Sequence, residues 1–255
     1  MKRRKSNRIE IIPLRTLPEI HRGYDLARQV VEAAHREGVE IAGGDIIVLT
    51  QKIVSKAEGR LVNLQHEKPG QLAREWARRR GIDARFMEVV LRESRRIVRM
   101  SERALIAETH HGFVCANAGV DRSNVPGRNW VTCLPRDPDA SARRFVHDIL
   151  KLCGVRVAAI ISDTFGRPWR LGLANVAIGA AGLRVLQDWR GKKDTQGRTL
   201  HATVIAVADE LAAAAGLAMG KTKKVPVVII RGHTYRRGKD PARRLIRPEK
   251  EDLFR

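Results

Sequence analysis

An Asp-Thr pair at the exit of an apolar run is the feature of this sequence most suited to chemistry. Val155 to Ile161 reads as a buried strand. It gives way to Asp163-Thr164 and then to a turn carrying Gly166, Arg167 and Arg170. Carboxylate and hydroxyl oxygens are hard donors that suit Mg2+ or Mn2+, and guanidinium groups suit phosphate. Read alone, the pair is also an ordinary strand–loop junction with an Asp turn.

Four other segments share its character, with small or charged residues at the ends of apolar runs. They are Leu17-Pro18-Glu19-Ile20, Thr50-Gln51-Lys52-Ile53-Val54-Ser55-Lys56, Asn117-Ala118-Gly119-Val120-Asp121-Arg122-Ser123-Asn124, and Met219-Gly220-Lys221-Thr222-Lys223-Lys224. Gly220-Lys221-Thr222 echoes the end of a phosphate-binding loop, but the upstream glycine is missing and no G-x-G-x-x-G occurs. By itself that segment reads as a helix C-terminus. Lys56 alone reads as a solvated lysine, and Asp121 alone as a turn residue. Segment by segment, the residues amount to a candidate divalent-metal and phosphate site.

The elements that must position these residues follow from periodicity and punctuation. Ile9–Leu14 is a short strand. Asp25–Arg36 has helical spacing, with Gly38 placed to end it. Gly43-Gly44-Asp45 turns into the strand Ile46–Leu49. Two Arg-studded amphipathic helices are expected at Gln71–Arg80 and Ala84–Arg96, then a strand pair over Ala104–Ala118 turning at His110-His111-Gly112. Ala140–Leu152 is a helix with Asp139 as N-cap and Gly154 as stop. A helical stretch is predicted through Ala174–Ala181, a polar loop from Arg190 to Arg198, and a long Ala-rich helix over Val204–Ala218. The strand Val227–Ile230 and a basic tail close the chain. Strands and helices mix without regular βαβ alternation. That predicts an α+β fold, mixed sheets with flanking helices, arranged as two intertwined subdomains.

Composition narrows the partners. The 255 residues are 43% hydrophobic, enough for a full core. Net charge is +21, and 36 of the 49 basic residues are Arg. Nucleic acid is the first suspect for such a charge. Aromatics are only 4%, which leaves few stacking platforms, and no zinc-finger or RRM signature occurs. The basic residues are also spread along patterns such as Arg74–Arg103 instead of gathering in one tail. Small polyanionic substrates or an Arg-rich proteome are the alternatives. Cys115, Cys133 and Cys153 are odd in number and widely spaced, so they read as core fillers and not as a disulfide or zinc framework. Residues 1–8 read as a disordered basic leader followed by no signal-like apolar stretch. No run approaches the ~18 apolar residues of a membrane span, so a soluble cytoplasmic protein is expected.

Taken together and in order, seven stretches resemble the coenzyme F420-0:L-glutamate ligase (γ-glutamyl ligase) family. They are LPEI at 17–20, TQKIVSKAEGR at 50–60, NAGVDRSNV at 117–125, ISDTFGRPWRLGLANVAIGAAGL at 161–183, DWRGKKDTQGR at 188–198, VADELAAAAGLAMG at 207–220 and VPVVIIRG at 225–232. The resemblance implies an enzyme that phosphorylates the terminal carboxylate of F420-0, or of a bacterial precursor such as dehydro-F420-0, with GTP. L-glutamate then attacks the acyl phosphate, and some members add further γ-linked glutamates. It also implies Mn2+ or Mg2+, a monovalent cation such as K+, and an intertwined homodimer. Residues 9–248 would form the ligase unit, with no flavin-reductase-like C-terminal domain. Rival readings are a same-fold ligase for another carboxylate and a basic nucleic-acid-binding protein.

Carried over position by position, the resemblance makes Asp121, Asp163 and Thr164 metal ligands. Leu17, Pro18, Glu19, Ile20, Gln51, Lys52, Lys56 and Asn124 become GTP contacts, as does the loop Met219, Gly220, Lys221, Thr222, Lys223, Lys224, Val225. Lys56 and Asp163 are the catalytic candidates. One departure stands out: archaeal relatives often carry an acidic metal ligand where this chain has Lys221, and the loop is one residue shorter. An ammonium has no lone pair for a metal. Lys221 is therefore expected either to contact phosphate directly or to swing away.

Overall fold

A computed structural model describes residues 8–102 and 104–252; apart from Arg8, the expected basic leader lies outside the described residues. In chain order the first elements are β1 (Glu10–Leu14), α1 (Leu26–Arg36), β2 (Ile46–Thr50), α2 (Gln51–Ala57) and β3 (Leu61–Asn63). Next come α3 (Gln71–Arg80), α4 (Ala84–Glu93), β4 (Ser94–Met100), β5 (Leu105–Thr109), β6 (Val114–Ala116) and β7 (Trp130–Thr132). The chain continues through α5 (Pro138–Cys153), β8 (Ala158–Arg167), β9 (Arg170–Ala181), β10 (Gln187–Asp188), β11 (Val204–Ile205), α6 (Val207–Met219) and β12 (Val227–Arg231). The fold is α+β with mixed sheets, as the sequence predicts.

The main sheet runs β1-β12-β2-β8-β9, with β2 and β8 parallel and the other neighbours antiparallel. Continuous apolar runs build its centre because both faces are covered. Ile47, Leu49, Ala159, Ile161, Val227 and Ile229 face α1 and α5, while Ile46, Val48, Ala158, Ile160, Val228 and Ile230 face α6. Period-2 alternation thus divides each strand between two cores. Each fully buried Ile or Val there stabilises the fold by about 1.5–3 kcal/mol. A third core forms within residues 62–133, where Ala73, Ala77, Phe86, Met87 and Val90 of α3 and α4 pack on Leu105, Ala107 and Val131.

Local chemistry fixes the helix termini, and α1 begins at Leu26, one residue after the predicted start. Asp25 caps α1 by accepting the Arg28 N–H at 3.0 Å. Gly154, at φ +69°, ends α5 in the left-handed conformation that glycine adopts without a Cβ penalty. The other end of α5 corrects the expectation. Asp137 is the N-cap, accepting from Ala140 N at 2.9 Å, and Pro138 opens the helix. Asp139 is buried instead, and its Oδ1 accepts from Ala180 N at 2.9 Å and Ala242 N at 2.7 Å.

Three further expectations are corrected by pairing. The predicted helix at Ala174–Ala181 is the inner half of β9, which pairs with β8 over its whole length. Gly179 lies so close to the α5 N-terminus that a Cβ would stand 2.4 Å from the Pro138 carbonyl oxygen. α4 stops at Glu93, where the Ser94 hydroxyl donates to Val90 O at 2.6 Å. Arg95 and Arg96 then enter β4, and both ion-pair with the buried Glu108 of β5. α6 starts at Val207, since Val204 and Ile205 pair with β10.

Candidate active site

The parallel pairing of β2 with β8 ends with Thr50 opposite Ser162, but β8 itself runs on to Arg167 against β9, so Asp163 and Thr164 lie within the strand and not at the strand exit the sequence predicts. In open sheets, the carboxyl ends of parallel strands leave a crevice where ligands bind. α2 begins on the next residue after β2. Its Lys52 and Lys56, one turn apart, lie on one side of that helix. On β8 a register shift between Ile161 and Ser162 re-aims the strand immediately before Asp163 and Thr164.

Lys52 Nζ lies 2.6 Å from Asp121 Oδ2 and donates to Ser123 O at 3.1 Å and to Ser123 Oγ. Asp121 in turn accepts from Ser123 N at 2.7 Å and Ser123 Oγ at 2.9 Å. Its backbone is fixed by paired hydrogen bonds with Thr132. Burial opposes ionisation of Asp121, but Lys52 and the Ser123 donors outweigh it and hold the carboxyl below its ordinary range.

Asp163 behaves oppositely. Burial, reinforced by the negative charge of Asp121, pushes its carboxyl up to about 6 against the Thr164 N–H and the charges of Lys52 and Lys221. Thr164 Oγ1 donates to Asn175 Oδ1 at 3.0 Å and accepts from Lys221 Nζ at 2.6 Å. Lys52, Asp121, Asp163, Thr164 and Lys221 thus form one electrostatic cluster drawn from four distant segments.

The Leu17–Ile20 segment reaches the same side through Lys56. This lysine is buried, and its ammonium pairs with the Glu19 carboxylate. Ile20 is anchored in the core, and Pro18 and Glu19 are exposed. Gln51 is buried, with Oε1 accepting from Ser55 Oγ at 2.8 Å and Nε2 unpartnered. Asn124 is exposed in a left-handed conformation, φ +56°. Of the 219–225 loop, Met219 and Val225 are core anchors, and Gly220, Lys221, Thr222, Lys223 and Lys224 are exposed between them. Arg167 and Arg170 are not part of the cluster. They face each other at the tip of the β8–β9 hairpin, four or more residues of extended chain from Asp163, roughly 13 Å.

Ser123 and Asn175 were not singled out from the sequence. Both lie inside stretches that were, beside Asp121 and across the hairpin from Thr164. Only strand pairing discloses Asn175. On the α1 and α5 side of the sheet, a cavity of about 260 Å³ opens against Leu49, Val54, Ile161 and Phe145, with Glu58 and Arg144 at its lining.

Two carboxylates and a hydroxyl fit a hard divalent ion that keeps water or phosphate oxygens in its other positions. Among the described residues no group of three or more His, Cys, Asp or Glu gathers that could hold a metal through protein ligands alone.

Lysines thus flank the partly exposed Asp163 carboxylate and the Thr164 hydroxyl, and comparison with known proteins gives the class of the chain as a ligase. The family model described as F420-0:Gamma-glutamyl ligase matches residues 15–232, so this chain belongs to that family. It is 44% identical to the coenzyme F420:L-glutamate ligase of Methanothermobacter thermautotrophicus over 250 residues, covering 97% of this chain and 99% of that protein. Similar relatives of the same description occur in Methanopyrus kandleri, 44% identical with 97% of both chains covered, and in Archaeoglobus fulgidus, 39% identical with 97% of both covered.

Proposed function

We propose that this ligase joins L-glutamate to the terminal carboxylate of F420-0, or of a precursor such as dehydro-F420-0, in a GTP-driven reaction through an acyl phosphate. The observation that supports it best is the lysine-flanked cluster of Asp121, Asp163 and Thr164 in a chain of this family. In the first step a carboxylate oxygen of the acceptor forms a bond to the γ-phosphorus and GDP leaves. In the second the glutamate amine attacks the acyl carbon, inorganic phosphate leaves with its electron pair, and the amine nitrogen gives up a proton to solvent or phosphate.

Both steps concern anions, and the chain's own residues supply the countercharge. Lys52, Lys56 and Lys221 neutralise phosphate oxygens; an ammonium ~4 Å from one gains about 4 kcal/mol at an effective dielectric near 20. Asp121, Asp163 and Thr164 would hold Mn2+ or Mg2+. When bound, such an ion offsets the charge that phosphoryl transfer spreads over the phosphate oxygens. No protein nucleophile is required, since the acceptor carboxylate performs that role. The unpartnered Gln51 Nε2 offers a donor to nucleotide oxygen. GTP, acceptor and glutamate are all anionic, so the chain's positive charge favours their capture.

A homodimer accompanies this reading. Beyond the sheet, the tip of the β8–β9 hairpin exposes Leu171 at 98% and Leu173 at 66%, apolar surface suited to a second copy. No helix among the described residues is long and apolar enough to cross a membrane.

Mass spectrometry of reactions holding F420-0, GTP, Mn2+ and L-glutamate tests the proposal. The expected result is a product heavier by whole glutamyl units, with GDP released only when acceptor and glutamate are both present. GDP release independent of the acceptor, or no glutamylated product, would overturn it.

A further inference from the structure

Thr164 Oγ1 has one proton and two lone pairs. The proton goes to Asn175 Oδ1 at 3.0 Å, and one lone pair takes the Lys221 ammonium at 2.6 Å. A single lone pair remains for a metal. Asp163, the residue before Thr164, brings the second carboxylate to the cluster. Asp121 gives one oxygen, Oδ2, to Lys52 at 2.6 Å.

The charge balance points the same way. Two carboxylates face two ammonium groups, so the cluster is neutral before any ion enters. One divalent ion adds two positive charges, which nucleotide phosphates can match. Paired ions in two-metal sites sit ~3.5–4 Å apart and share bridging oxygens. With the last Thr164 lone pair given to one ion, a second would find no donor there and would stand beside the Lys221 ammonium. We infer that Lys221 is a tethered cation standing in for a second divalent ion, so that the site holds one divalent ion per chain and Lys221 meets phosphate directly. This rests on the proposed metal site at Asp121, Asp163 and Thr164.

The position of Lys221 in the chain makes the arrangement workable. Its loop is anchored by Met219 and Val225 in the core, while Lys221 itself is exposed. Met219 Sδ also lies 3.8 Å from Asn175 Nδ2, tying the loop's start to the residue that orients the Thr164 hydroxyl. Substituting the exposed lysine therefore leaves the core intact, and variants at this position report on the site.

The test is a count of bound Mn2+. Mn2+ is titrated into protein with equimolar GDP, free ion is read by electron paramagnetic resonance, and a GDP-only control is subtracted. The wild-type chain is expected to bind one ion and Lys221→Glu two, with Lys221→Gln losing at least fivefold in GDP affinity at low Mn2+. Two ions in the wild type would overturn the inference, as would one ion in both wild type and Lys221→Glu. No bound ion in the wild type, or a count unchanged by Asp163→Asn, would instead overturn the metal site and the inference with it.

Discussion

Lys52 and Asp121 meet at 2.6 Å between Nζ and Oδ2, joining the first turn of α2 to the loop ahead of β7. The two side chains are 19% and 42% exposed, so the pair itself contributes no more than about 1 kcal/mol to stability. Its larger effect is on the site, where Lys52 sets the charge around two carboxylates. Lys52→Met is expected to lower kcat/KM for GTP by about 10², with a urea midpoint close to wild type. A kcat/KM within threefold of wild type would return Lys52 to a surface ion pair.

Asp163→Asn separates function from stability. Burial first, and then the charge of Asp121, raise this carboxyl to about 6, above the roughly 3.9 of an unfolded Asp. A raised carboxyl favours the fold while protonated, so that contribution is present below about pH 4 and is lost as pH rises through 6. At pH 7.5 the neutral variant should equal or exceed the wild type in unfolding free energy, by up to about 3 kcal/mol. Ligation should fall by about 10²–10³. Urea unfolding and turnover at limiting Mn2+ read the two effects, and a destabilised variant would mark Asp163 as structural.

Asp139 should show the reverse pattern. Its Oδ1 accepts two backbone N–H groups, from Ala180 and Ala242, inside the core. Asp139→Ala leaves both donors unsatisfied, costing about 2–5 kcal/mol in urea unfolding. Asp139→Asn keeps an acceptor oxygen and should recover most of that loss. Equal stability for all three chains would contradict the role.

Leu171 sits 98% exposed at the hairpin tip. If that tip joins two copies, Leu171→Asp should shift the mass measured by light scattering from dimer to monomer without altering the circular dichroism spectrum. A variant still dimeric at micromolar concentration would place the interface elsewhere.

Burial pushes the Cys115 and Cys133 thiols up to about 12, and Cys153 is raised by burial as well. Only thiolate reacts quickly with disulfide reagents. At pH 8 the native protein should release at most one equivalent of thionitrobenzoate, from Cys153, within minutes. All three thiols should react in guanidinium.

The elements legible in the sequence are those whose signals are local. Gly154 after α5 and the unbroken apolar run of β2 each fix their neighbours, through a backbone conformation and through burial on two faces. The site segments were legible too, because small and charged residues after apolar strands break the pattern. Tertiary structure decided the rest. Ala174–Ala181 carries neither a clear 3.6 nor a clear 2.0 period, and pairing with β8 against the α5 N-terminus made it a strand. Helix-forming residues at Arg95 and Arg96 were overridden by ion pairs to Glu108, a partner on another strand. Asp139 could be read as a cap but not as the acceptor for two donors far along the chain. Lys221 shows the same division. Its charge was written in the sequence, but only the packing of α6 beside β9 set that charge on Thr164, since contacts between distant segments depend on the whole fold.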